Sequence, residues 1–260
     1  MSTGHRRGLA YGIALLSGAV LLTACTPDPG ADLAERRSSS ESTTGPNSAS
    51  RESPATSPDP LAIPVAQNRA LLQAANDHDP AAVRAALTRG AQVDTRDTGG
   101  RTPLMLAVLS DDLSVAQVLL EFGADPDAKD ARGETPWVNT GVTGSVPMME
   151  ALLPLDPDLT LPNRFGGNAL IPAAEKGHLN YVREVLRQTG IDIDHVNDLG
   201  WTALLEAVYY GDGGPRYRDI VRVLVDNGAD LTIRDANGRT AFDHAVRRGF
   251  TDIAALVDPR

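Results

Sequence analysis

The sequence predicts an all-α solenoid of about six helix-turn-helix units behind a non-globular N-terminal segment. Two observations predict the solenoid. Glycines recur in one phase, at Gly100, Gly133, Gly166, Gly200 and Gly238, with spacings of 33, 33, 34 and 38 residues, and a fixed period of this size marks stacked supersecondary units. Aromatics make up only 4% of the chain, so Ala, Leu and Val must supply the core, which favours close helix packing over a broad sheet.

The first 24 residues read as a secretory signal. "HRRG" is a short basic stretch, and "LAYGIALLSGAVLLT" is an apolar run of 15 residues. Spanning a bilayer needs roughly 20, so an uncleaved anchor is the weaker reading. Leu22-Thr23-Ala24-Cys25 resembles the lipobox of bacterial lipoproteins, and Cys25 is the sole cysteine of the chain. The resemblance implies cleavage before Cys25, acylation of its sulfur and amine, and attachment to the extracytoplasmic face of the cell membrane. An uncleaved membrane anchor and ordinary secretion are the alternatives.

Residues 25–68 are rich in Ser, Pro, Thr and Ala and hold no sustained period of 2 or 3.6. Such a stretch cannot bury enough apolar surface to offset its ordering entropy. It reads as a tether, with a reach of about 35–40 Å as a flexible coil.

The solenoid is expected over residues 69–258, in units of about 69–96, 97–129, 130–162, 163–196, 197–234 and 235–258. In the second unit, "DTGGRTPLMLAVLSDDLSVAQVLLEFGADPDAK", Gly100 supplies a turn with positive φ. Thr102 caps a helix and Pro103 suits its first position. Leu104, Ala107 and Val108 share one face of that helix. Val115, Val118, Leu119 and Leu120 share one face of the next. Small residues equivalent to Ala107 (Ala74, Ala174, Ala207, Ala245) keep the two helices close. Gly90, Gly123, Gly190 and Gly228 are expected as left-handed helix ends. Neither helix can bury its face alone, so stability is a nearest-neighbour sum.

These blocks resemble ankyrin repeats, most closely at "GRTPLMLAV" and "VLLEFGAD". Two units depart from the pattern. In the third, Thr140 replaces the alanine, and Gly141 and Gly144 follow, so its first helix is expected to be short or frayed. The fifth carries about five extra residues, "GGPRY", expected as a surface loop between its helices.

The resemblance implies a module that binds another protein, with contact positions at the turn tips and along the exposed side of each first helix. Those positions hold Arg101, Ser110, Arg132, Glu134, Arg164, Phe165, Glu175, Lys176, Leu199, Trp201, Tyr209, Tyr210, Asn237, Arg239, Arg247 and Arg248. Phe165, Trp201, Tyr209 and Tyr210 stand out because aromatics are scarce elsewhere. With Arg164, Arg239, Arg247 and Arg248 they form the expected protein-binding set, since aromatics and Arg are enriched at binding hot spots. Trp137 occupies a leucine position and is expected in the core.

Catalysis is not expected. No histidine pair has HExxH spacing, there is no thiolate left over for chemistry, and no Gly-rich phosphate loop occurs. "IDIDHVND" has oxygen ligands but lacks the EF-hand spacing. No cofactor, metal or small-molecule substrate is expected. Cleavage before Cys25 would remove two of the 24 basic residues and none of the 34 acidic ones, taking the net charge from −10 to −12. Such a surface repels nucleic acid. The sequence thus describes a lipid-anchored monomer that binds or scaffolds an envelope protein. The alternative is an accessory or inhibitory protein that covers a secreted or periplasmic enzyme or toxin.

Overall fold

The computed structural model describes residues 62–259. Among them are twelve α-helices and no strand. The helices come in pairs: α1 (Ala62–Asn76) with α2 (Pro80–Thr88), α3 (Pro103–Leu109) with α4 (Leu113–Glu121), and α5 (Pro136–Thr143) with α6 (Val146–Leu152). Then follow α7 (Leu170–Glu175) with α8 (Leu179–Gln188), α9 (Ala203–Tyr210) with α10 (Pro215–Asp226), and α11 (Ala241–Arg248) with α12 (Thr251–Leu256). Each odd-numbered helix packs on the next odd one and each even-numbered helix on the next even one. The result is two helical layers sharing one continuous core.

Local chemistry fixes each unit. The hydroxyls of Thr102, Thr135, Thr202 and Thr240 accept from the third amide of α3, α5, α9 and α11, satisfying a donor that the helix leaves open. Ahead of each odd helix from α3 on, one Asp or Asn organises the turn. Asp97, Asp130, Asn163, Asn197 and Asp235 each accept from two backbone amides, two and four residues on. The turn glycines adopt positive φ as expected. At Gly100 a Cβ would also sit 2.7 Å from the Ala131 amide nitrogen of the next turn, so both backbone freedom and close approach require glycine there.

The core follows the predicted faces. Leu104, Ala107, Val108, Val115 and Leu119 are fully buried, as are Leu170, Ala174, Val182, Val185, Ala207, Val208, Ile220, Val221 and Leu224. Burial of each large aliphatic side chain stabilises by roughly 1.5–3 kcal/mol. Trp137 is fully buried, as expected.

Four expectations need correction. The tether was expected to run to residue 68, yet α1 begins at Ala62. The extra turns are held from the side: Asn68 accepts from the Gln92 amide, and Gln67 accepts from Arg89 Nε. Second, α5 is neither short nor frayed. It has eight residues, one more than α3, and ends on left-handed Gly144. Gly141 earns its place by contact, because a Cβ there would lie 1.9 Å from the Ala169 carbonyl oxygen. Third, Gly190 is not a left-handed helix end. Thr189 ends α8 in extended conformation; its hydroxyl donates to Val185 O and accepts from Ile191 N, so no left-handed residue is needed. Gly90, Gly123 and Gly228 do take positive φ. Fourth, only part of "GGPRY" is loop. Pro215, Arg216 and Tyr217 form the first turn of α10, and the Tyr217 hydroxyl donates to Glu175 O at 2.8 Å. The insertion lengthens a helix and clamps it to the preceding unit.

Candidate protein-binding surface

The outward side of the odd-helix layer is densest in aromatics around α9. Thr202 caps this helix, and Leu204, Leu205, Ala207 and Val208 bury its inner face. That leaves Tyr209 and Tyr210 outside, 42% and 53% exposed. Trp201, held by its amide to Asn197 at 3.0 Å, lays its ring over the end of the turn. Its centroid lies 4.3 Å from that of Tyr209 and 5.8 Å from that of Tyr210. The two tyrosines meet edge to face at 5.1 Å, a geometry that the ring quadrupole favours. Expectation named these three residues, and the structure brings them together.

His244 of α11 completes the group, 5.9 Å from Trp201 and 5.4 Å from Tyr209. Its Nε2 lies 2.9 Å from Asp235 Oδ2, with both side chains buried. Burial pulls the Asp235 carboxyl upward, but hydrogen bonds from the Arg239 amide, His244 and Asn237 outweigh it and hold it at about 2.

Glu206 lies one helical turn before Tyr210 and is only 4% exposed. Its Oε1 accepts from Asn197 Nδ2 at 2.9 Å, while Oε2 is buried with no hydrogen-bond partner. Burial pushes this carboxyl up to about 7, opposed by the Asn197 bond and reinforced by the charge of Glu175. Sequence reasoning missed both Glu206 and His244. A signal was present: each lies nine residues after the Asn or Asp that organises its turn.

The remaining expected residues are more dispersed. Phe165 is 52% exposed and stacks with its neighbour Arg164, whose guanidinium is 4.6 Å from the ring centroid. Arg164 also pairs with the buried Glu134 at 3.6 Å. These two form a separate pair at the preceding turn. Arg248 donates to Val208 O at 3.3 Å and lies over Phe250, so it ties α11 to α9. Arg247 is exposed in the last turn of α11, and Arg239 is half-buried. Cys25 lies outside the described residues. Among the described residues, no three His, Cys, Asp or Glu side chains converge as a metal site, and no helix is long and apolar enough to cross a membrane.

Comparison with known proteins agrees with the repeat architecture. A family model described as "Ankyrin repeats (3 copies)" matches residues 141–235, and models described as "Ankyrin repeats (many copies)" match residues 85–136 and 217–256. The putative ankyrin repeat protein YahD of Escherichia coli K12 is 37% identical over 186 residues, 72% of this chain and 92% of that protein. Among solved structures, the ankyrin repeat protein EF0377 is 43% identical with a TM-score of 0.71, covering 74% of this chain and 98% of that one. An ankyrin repeat domain from Acinetobacter baumannii is 39% identical with a TM-score of 0.69, covering 72% and 95%.

Proposed function

This chain belongs to the ankyrin repeat family, and from that premise we propose that it is a membrane-anchored module that holds an envelope protein on the extracytoplasmic face. The repeats form a protein–protein interaction scaffold, and ankyrin repeat proteins are generally non-enzymatic. The observation that carries the site is the packed Trp201–Tyr209–Tyr210 group. In a chain with 4% aromatics, the half-exposed rings of Tyr209 and Tyr210 converge with the partly buried ring of Trp201 on one outward face. Rigid aromatic side chains offer large contact area at small entropic cost.

Support for the anchor comes from the sequence Leu22-Thr23-Ala24-Cys25. One acyl chain binds a bilayer marginally and two bind it stably, at about 0.8 kcal/mol per buried CH₂. Replacing Cys25 by Ser should move the protein out of the membrane fraction; retention there would overturn the anchor. Trp201→Ala with Tyr210→Ala should leave helical content nearly intact and weaken the partner. Unchanged partner binding would overturn the site.

A further inference from the structure

We propose that the Trp201–Tyr210 face receives a basic side chain, arginine or lysine, from the bound protein, seated against the Glu175 and Glu206 carboxyls. This rests on the reading of that face as the binding surface and names the chemistry it selects. Three features point to a cation. Glu206 is buried with Oε2 unpartnered, and an unmade hydrogen bond at a buried acceptor is a standing loss that a donor can recover. Glu175, at the end of α7, adds a second negative charge felt at both Glu206 and Tyr210. No ion pair among the described residues reaches either carboxyl. The ring faces of Trp201 and Tyr210 then complete a site suited to a cation.

The surrounding charges leave room for it. From α11, Arg248 is turned to Val208 O and Phe250, and His244 is committed to Asp235. Just past α7, Lys176 is exposed, and no ion pair among the described residues joins it to Glu175. Asn197 satisfies Oε1 alone. Tyr210 is half exposed and lies within electrostatic reach of both Glu206 and Glu175. Filling the site with a cation favours the ionised form of Glu206, so binding releases a proton and strengthens as pH rises through neutrality.

The test is an NMR titration of the purified full chain with acetyl-Gly-Arg-Gly-amide, its lysine analogue and its uncharged citrulline analogue, read at the Trp201 indole N–H. The arginine or lysine peptide should shift that signal, with citrulline about tenfold weaker, as expected for loss of a charge-assisted contact. Glu206→Gln should weaken the basic peptide about fivefold and remove its pH dependence, and Glu175→Gln should weaken it further. Equal binding of citrulline, unchanged affinity in both variants, or no shift with any peptide would overturn the inference. In cells, if Trp201→Ala with Tyr210→Ala loses the partner while Glu175→Gln with Glu206→Gln keeps it, the cation site fails and the binding surface stands. If neither pair loses it, both fail.

Discussion

The hydroxyls of Thr140 and Tyr181 lie 2.7 Å apart, fully buried, and tie α5 to α8. Thr140 Oγ1 donates to Trp137 O at 2.7 Å, so Tyr181 is the donor in the pair. Burial raises the Tyr181 phenol above its ordinary range despite the Thr140 bond, which keeps it a neutral donor. Tyr181→Phe should cost about 1 kcal/mol, whereas Thr140→Ala strands a buried hydroxyl and should cost about 1–3 kcal/mol. Alanine is the residue that other units use here (Ala107, Ala174, Ala207), so the unit pattern alone gives the opposite sign. Urea denaturation of the two variants decides it, and a stabilised Thr140→Ala would contradict the pairing.

Gly141→Ala makes a similar reversal. In an exposed helix interior the change stabilises by about 1 kcal/mol. Here the new methyl would fall 1.9 Å from Ala169 O, forcing α5 from α7. A loss of about 3 kcal/mol is expected, the range of overpacked core sites. A midpoint equal to or above that of the parent would show that α5 and α7 are not packed this closely.

How much of this was legible in the sequence follows from how local each cause is. The turn glycines and capping threonines were readable because positive φ and an open amide each call for specific residue types at one position. The third unit misled because Thr140 and Gly141 look like helix breakers in isolation; their partners, Tyr181 and Ala169, belong to the next unit. "GGPRY" read as loop because length alone does not say whether Pro215 opens a helix. At the candidate site the three aromatic residues were named by position and scarcity. Glu206, within the apolar stretch "ALLEAVYY", became informative only once Asn197 was seen to bond it.

Glu206 also sets a pH dependence. Its folded-state carboxyl is raised to about 7, so the folded protein binds that proton more tightly than the unfolded chain. The contribution is fully present below the ordinary carboxylate range, falls as pH rises, and is gone above about 7, for a total of about 3 kcal/mol. Asp94 and Asp127 are raised too, chiefly by burial, and act with the same sign. Comparison with Glu206→Gln isolates Glu206. Between pH 5 and pH 8 the variant should gain roughly 2.5 kcal/mol relative to the parent, the rest of the total being lost already below pH 5. A difference that stays constant across that window would place Glu206 in an ordinary, solvated setting.

The most direct measurement of the central claim is site-specific photo-crosslinking of the full chain in its own cells. A photoreactive phenylalanine analogue at Tyr210, on the aromatic face, is compared with one at Arg183 on the exposed side of α8 in the other layer. The account predicts one discrete crosslinked protein from position 210, lost when Trp201 is also changed to Ala, and none from position 183. Equal crosslinking from both positions, or a product at 210 that survives the loss of Trp201, would contradict it.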